Sequence, residues 1–546
     1  MQHLSGDTSA QSHFSQVPTI SHSRNGFSVA DRHLTTIQFD YLYPLFWKYM
    51  YPGDTLNINQ QIAARLTTQA QVLYDDLYLD LHAWFVPFRL LQTNWARFQF
   101  NAQPTGPTQD NSSLTTPKIT TTSLTGGFVA KTLYDYIGMP TESATLAGDT
   151  EHINNYVARG YNLIWNTNYR DENLQDAVVV DVDDGPDAPT DYVLLKRGKR
   201  HDLFTSCLTA AQKGTAVSLP LGTSAAVKTS SSQQVTGAQS SLTMRRATDG
   251  AAPGGDNNLV TRATTGNVHG YTVSGSDSAG LLYPSNLYAD LSTATAATLN
   301  QVRQSYAVQH LLEADARGGT RDVESIQHRW GVTVPDFRLQ RPEYLGGTTV
   351  GFDGHLVPQT SVTAATPQGN LTQFSQTMGG LSVAHSFVEH GVFMILISGR
   401  SNITYQEGLK RELSYRTRYD WYQPEFANLG EVAVLNKEIY FQGGAAAADQ
   451  QTFGYQEYGY ELRYGINRVS GEMRSNYATS KDSRHLADDY SSLPTLGTAW
   501  IQSNTAISRN TVVSAATADP IELNTIARGM CARTLPMFSI PGLKRL

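Results

Sequence analysis

The chain has 546 residues, 40% of them apolar and only 16% charged, against roughly 25% charged in an average soluble domain. A net charge of −7 with pI near 6.1 argues against a protein whose main business is holding nucleic acid by charge, although a local basic patch remains open. Two cysteines, Cys207 and Cys531, exclude a disulfide framework, and no apolar run approaches the ~20 residues of a membrane helix; the length suits two to four domains or one domain with large insertions.

Residues 1–26 are polar, carry His3, His13 and His22, and read as an arm; no charged segment followed by an apolar one marks a secretory signal. From Phe27, aromatic and β-branched residues broken by Pro44 and by Pro52-Gly53-Asp54 predict strands joined by a turn. In LYLDLHAWFVPFRL, Leu77, Leu79, Leu81, Ala83 and Phe85 alternate with Asp80 and His82, the pattern of a strand with one face in a core. Trp84, Phe85, Val86 and Phe88 break that pattern, so this end needs cover on both faces, from an insertion or from another copy of the chain.

Residues 101–127 are rich in Thr, Pro and Gly and predict a surface excursion. VVVDVDDGPDAPTDYVLLK predicts two short strands joined by an acidic turn. Its Asp181, Asp183, Asp184 and Asp187 look like a calcium loop, but the glycine comes one place early and no glutamate closes it, so a solvated turn is expected. The run Lys196 to His201, KRGKRH, is the densest basic cluster; it suits either a phosphate-contacting loop or salt bridges at a subunit boundary. Between Thr223 and Gly280 large apolar side chains are few, among them Leu259, Val260 and Tyr271, and the segment cannot bury a core alone.

Thr298 and Gln301 form a capping-box pattern before Leu299, Val302, Tyr306, Leu312 and Ala316, one helical face that Arg317-Gly318-Gly319 ends. Val323, Ile326 and Trp330 predict a second, shorter helix stopped by Gly331. Strands return in HSFVEHGVFMILISGR, EVAVLNKEIYFQ and YQEYGYELRYGINRVSG. In the last, Tyr458, Tyr460, Leu462 and Tyr464 are expected on one strand face, suited to sheet or subunit packing.

His385, Glu389 and His390 suggest zinc at first sight. Their spacing is one residue too long for the inverted metallopeptidase motif and they run into a strand, so no metal site is expected. Arg528, Arg533, Lys544 and Arg545 frame LPMFSIPGL, a tail for nucleic acid or, better suited to its apolar content, a strap beneath a neighbour. Nucleophile motifs, phosphate loops and dinucleotide fingerprints are absent, so neither an enzyme nor a cofactor is expected.

Several longer blocks carry a resemblance: FDYLYPLFWKYMYPGDT, WFVPFRLLQTNWARF, YNLIWNTNYRDENLQD, LLKRGKRHDLFTSCLTAAQKG, LLEADARGGTRDVESIQHRWGV, GEVAVLNKEIYFQG, FGYQEYGYELRY and ARTLPMFSIPGL. In this order they resemble the major capsid proteins of microviruses, particularly the gokushovirus-like branch. Gln92 departs from the aromatic residue that the family often has after RLL.

The resemblance implies a mainly β fold, a single jelly-roll (eight-stranded antiparallel β-sandwich) with long loop insertions and a few short helices. Its parts would be an N-terminal arm (1–26), the first part of the core (27–222), a variable insertion forming a threefold protrusion (223–285), a helical insertion (286–347), and the second part of the core with a C-terminal strap (348–546). It implies sixty copies in a small T=1 icosahedral virion shell around circular single-stranded DNA, assembled in the host bacterial cytoplasm. The implied partners are further copies of the chain, the single-stranded DNA genome, a small basic DNA-binding protein, a DNA pilot protein, an internal scaffolding protein and a host surface receptor.

The family offers no catalytic residues to carry over, so residue assignments follow from the chain itself. Lys196, Arg197, Lys199, Arg200, Lys544 and Arg545 are the candidates to face nucleic acid. Trp84, Phe88, Tyr458, Tyr460 and Tyr464 are the candidates for subunit contacts, and Leu259, Val260 and Tyr271 for the threefold insertion. A rival expectation is a secreted carbohydrate-binding β-sandwich module with Tyr458 to Tyr464 as a sugar platform, which the missing signal segment weakens; a metalloenzyme built on His385, Glu389 and His390 ranks below it.

Overall fold

The computed structural model describes residues 23–100, 114–120, 127–141, 152–214, 217, 226–229, 244–246, 257–261, 268–272, 277–285, 287–290, 299–317, 322–333, 339–363, 367–428, 430–444, 446–515 and 517–538. The chain divides into two compact units, residues 1–211 with 320–546, and residues 212–319.

The first unit opens with strands β1 (Asn25–Ile37), β2 (Tyr43–Met50), β3 (Thr55–Leu66) and β4 (Leu77–Pro87), followed by helices α1 (Trp95–Phe100), α2 (Leu133–Ile137) and α3 (Tyr156–Asn168). The second unit holds β5 (Ala226–Thr229), β6 (Met244–Arg246), β7 (Asn257–Thr261), β8 (Val268–Thr272), β9 (Asp277–Pro284), β10 (Leu287–Asp290) and α4 (Leu299–Arg317). Back in the first unit come α5 (Asp322–Trp330), β11 (Glu343–Gly351), β12 (Asp353–Pro358), β13 (Leu371–Ser386), β14 (Gly391–Ser401) and β15 (Glu431–Leu435). The chain ends through α6 (Asn436–Ile439), β16 (Thr452–Glu457), α7 (Thr498–Ile501) and β17 (Ile521–Arg533).

Two antiparallel sheets of the first unit, β1-β17-β3-β13-β12 and β11-β4-β14-β2, enclose a common core and make a β-sandwich. Strand β3 shows why: Leu56, Ile58, Gln60, Ile62, Ala64 and Leu66 alternate inward while Asn57, Asn59 and Gln61 stay exposed. From the facing sheet, Leu77, Leu79, Leu81, Ala83 and Phe85 of β4 and Phe393, Ile395 and Ile397 of β14 enter the same core, as the period-2 pattern predicts. Val392, Met394 and Leu396 point the other way into a second cluster, so β14 is buried on both faces.

Both predicted helices form, α4 in the second unit and α5 in the first. Val302 and Tyr306 of the expected apolar face are exposed, whereas Ala316 is buried. The second unit contains a four-stranded sheet, β6-β9-β8-β7, and the pair β10-β5.

Two strand expectations are corrected. Residues 178–195 form no strand among the described residues; they run irregularly through Asp187, whose buried carboxylate is held by Arg159 rather than by a neighbouring strand. Strand β16 stops at Glu457, because Gly459 takes the left-handed conformation (φ 77°) and starts a 3₁₀ turn over Tyr460–Leu462. The four residues expected on one strand face therefore do not share one.

Candidate functional site

The outer face of β4 and β14 is covered from within the chain. Helix α3 lays Tyr156, Val157, Tyr161, Ile164 and Trp165 over Trp84, Val86, Met394 and Leu396, with α1 and α2 at its flanks. Trp84 donates its indole N–H to the Tyr169 hydroxyl at 3.2 Å, and the Phe88 ring stacks on Tyr156 with centroids 4.3 Å apart. Trp84 and Phe88 thus spend their surface inside the subunit, and the cover needed at this end of the strand is an insertion.

Gln92 is fully buried here and replaces aromatic packing with hydrogen bonds. Its amide donates to the Thr115 carbonyl (3.1 Å) and to Asp184 Oδ1 (2.6 Å), and it accepts from the Tyr156 hydroxyl. Beside it, Arg159 donates Nε to Asp187 Oδ2 at 2.7 Å and Nη1 to the Leu91 and Asp183 carbonyls. Both charged side chains of the Arg159–Asp187 pair are fully buried, so Asp187 belongs to no solvated turn. A lone arginine inside the otherwise apolar YVARGYNLIW was the signal that could have exposed this pair.

The basic run Lys196 to Arg200 is largely paired within the chain. Arg197 Nη1 lies 2.7 Å from Asp80 Oδ2 and 2.8 Å from the Ser398 hydroxyl, with Arg400 at 3.6 Å and Arg200 at 3.9 Å from the same carboxylate. Lys199 reaches Asp488 at 2.7 Å and sits over the Trp500 ring, while Lys196 lies over Tyr41 and Arg200 over Tyr78. Burial would raise the Asp80 carboxyl, but Arg197, the Thr349 hydroxyl, Arg400 and Arg200 together hold it below the usual carboxylate range. Burial first, then the Arg197 charge, push Arg400 down to about 10, a sign that three guanidiniums share one acid. Lys544 and Arg545 lie outside the described residues.

Of the tyrosines expected at a subunit contact, Tyr460 is fully buried, its hydroxyl between Glu438 (2.7 Å) and Arg411 (2.6 Å). Tyr458 is half-buried and Tyr464 is exposed. With Tyr460 turned inward there is no flat aromatic row for a sugar. Leu259 and Val260 lie on β7 opposite Gly270 and His269, and Tyr271 lies on β8 opposite Asn258.

His385, Glu389 and His390 diverge. His385 Nε2 lies 3.6 Å from Glu343, Glu389 accepts from Arg89 Nε at 2.7 Å, and the His390 ring packs against Trp95 and Tyr51. No group of three or more His, Cys, Asp or Glu side chains suited to a metal occurs among the described residues.

What the first unit leaves open is surface. The outer face of the five-stranded sheet carries a trough of about 800 Å³ lined by Leu34, Ala63, Arg65, Met378 and Asn524, with Leu34 62% and Met378 80% exposed. The edge strand β12 is exposed along its whole length. Such open sheet surface fits a partner better than a small ligand.

Comparison with known proteins places the chain among capsid proteins. The profile of the family described as capsid protein (F protein) matches residues 15–543. The chain is 41% identical to capsid protein VP1 of Bdellovibrio phage phiMH2K, over 93% of each chain. It is 35% identical to capsid protein VP1 of Chlamydia phage 1 over 98% of each, and 31% identical to capsid protein VP1 of Spiroplasma virus 4 over 92% of each.

Proposed function

Because the chain belongs to the phage capsid protein (F protein) family, we propose that its mechanism is self-association into a closed icosahedral shell of sixty copies around circular single-stranded DNA. It is a structural protein of the virion and not an enzyme. The observation that carries the mechanism is the contrast between the two sheets: α3 and its neighbours seal the outer face of one, while among the described residues the outer face of the other leaves apolar Leu34, Met378 and Met530 exposed.

The finer fold within the sandwich is a jelly-roll. Supporting it, β1, β2, β3, β4, β11, β13, β14 and β17, taken in chain order, pair first with last, second with seventh, third with sixth and fourth with fifth. Successive pairs fall in alternate sheets, the pattern of a long hairpin wound twice around a barrel. The expected parts are an arm over 1–26, core over 27–222 and 348–546, a threefold protrusion over 223–285 and a helical insertion over 286–347; core strands β1 and β11 begin earlier than these bounds, at Asn25 and Glu343.

Net charge of −7 leaves most genome neutralisation to other components. A small basic DNA-binding protein, a DNA pilot protein and an internal scaffolding protein would accompany assembly in the host cytoplasm, and the 223–285 protrusion, with Leu259, Val260 and Tyr271 gathered across copies, would meet a host surface receptor. Arg197 and Lys199 already spend their charges on Asp80 and Asp488, so Lys544 and Arg545 are kept as the candidates to meet DNA. Electron microscopy with light scattering of the expressed chain tests the proposal: a megadalton closed particle is expected, and a chain that stays monomeric at every concentration would refute it.

A further inference from the structure

We infer that an aromatic ridge on the long excursion between β14 and β17 is a contact between two copies of this chain, an inference that rests on the self-association proposed above. Leu413, Tyr419, Trp421, Tyr422, Leu462 and Tyr464 are 74, 58, 61, 41, 64 and 46% exposed. A tyrosine or tryptophan covers roughly 150–250 Å² when fully buried, so about half-exposed side chains in this number present on the order of 600 Å² of apolar surface. Summed over the six side chains, that is on the scale of the largest patch on an ordinary monomer, ~300–600 Å². It also approaches the ~800 Å² that each partner contributes to a standard interface.

The ridge is held in shape before any partner arrives. Tyr422 stacks on Tyr458 at 5.4 Å and Tyr415 packs on Trp421 at 5.1 Å. Asp420 accepts the backbone N–H groups of Arg416 and Thr417 at 2.8 and 2.7 Å, closing the turn that carries Tyr419 and Trp421. Beneath lies the buried contact of Arg411, Glu438 and Tyr460. Rigid aromatic anchors of this kind lose little entropy on binding and dominate protein interfaces.

Charge selects the occupant. Lys410, Arg416, Arg418 and Arg463 are offset by Glu412, Asp420, Glu425, Glu457 and Glu461, so the ridge lacks the net positive field that a strand of nucleic acid needs, despite aromatic rings that could stack on bases. A mixed-charge aromatic surface matches another protein surface, and a chain of this family meets its own copies in the shell.

Sedimentation velocity of the full chain and of the double variant Tyr419→Ser/Trp421→Ser tests the contact. Both rings are exposed, so the variant's subunit should melt as the wild type does, while the concentration for half-association rises at least tenfold; Trp421→Phe should restore most of it. Unchanged association of the double variant would overturn the ridge contact and leave self-assembly standing. A wild-type chain that never associates would overturn both. Loss of single-stranded DNA binding with association intact would assign the ridge to nucleic acid instead and overturn the inference.

Discussion

Arg159 on α3 and Asp187 on the following loop form a fully buried ion pair behind the four-stranded sheet, Nε to Oδ2 at 2.7 Å. Removing one charge strands the other in a low-dielectric site, a loss of about 3–5 kcal/mol. Asp187→Ala should therefore lower the unfolding free energy of the subunit by that order in urea titration, and Arg159→Met together with Asp187→Leu should recover much of it. A single Asp187→Ala variant of unchanged midpoint would show the pair to be dispensable.

Trp84 offers a contrast with the ridge. Its ring is 5% exposed beneath Tyr169 and Tyr344, so Trp84→Ala opens a cavity in the subunit, costing about 3–5 kcal/mol. Thermal melting of dissociated subunits should drop. A variant that melts normally yet fails to assemble would return Trp84 to the subunit boundary.

Gln60 lies fully buried in the sandwich core on β3, and neither of its side-chain polar atoms has a hydrogen-bond partner among the described residues. Replacing it with Met removes that desolvation cost, so Gln60→Met should stabilise the subunit by roughly 1–3 kcal/mol. Denaturant midpoints decide it, and a lower midpoint for the variant would contradict the prediction.

Burial and then the neighbouring Arg197 push His82 down to about 4. Its Nδ1 lies 2.7 Å from the Tyr169 hydroxyl, which itself accepts the Trp84 N–H, so that hydroxyl donates to a neutral ring. With the folded value depressed, the contribution of His82 is complete above the unfolded value near 6.5 and is lost as pH falls through about 4. His82→Gln should flatten the melting temperature between pH 6.5 and 4; an equal slope in both proteins would count against it.

Glu407 has the opposite sign. Burial first, then its hydrogen bond with Asp489, raise it to about 7. Its contribution is complete below the unfolded value near 4.5 and is lost as pH rises through about 7. Hydrogen exchange at the Asp488 amide, bonded to the Thr404 carbonyl at 2.9 Å, should accelerate between pH 6 and 8 beyond the intrinsic rate. Glu407→Gln should abolish that excess, and its persistence in the variant would remove Glu407 as the cause.

Period-2 alternation in β4, the apolar run of β14 and the capping pattern before α4 were enough to place those elements, because they depend on residues a few positions apart. The family blocks likewise survive as short contiguous strings. Alternation says that the face bearing Trp84 needs cover; it cannot say that α3, some seventy residues later, provides it. Arg197 and Asp80 are 117 positions apart, so a basic run that reads as free charge is mostly spent on a distant acid. Tyr458 to Tyr464 look like one strand until Gly459 turns the chain and sends Tyr460 inward and Tyr464 outward. Which side chains remain free to meet another copy is settled by the competition of all long-range contacts for the same surface, a property of the folded chain as a whole and of no window along it.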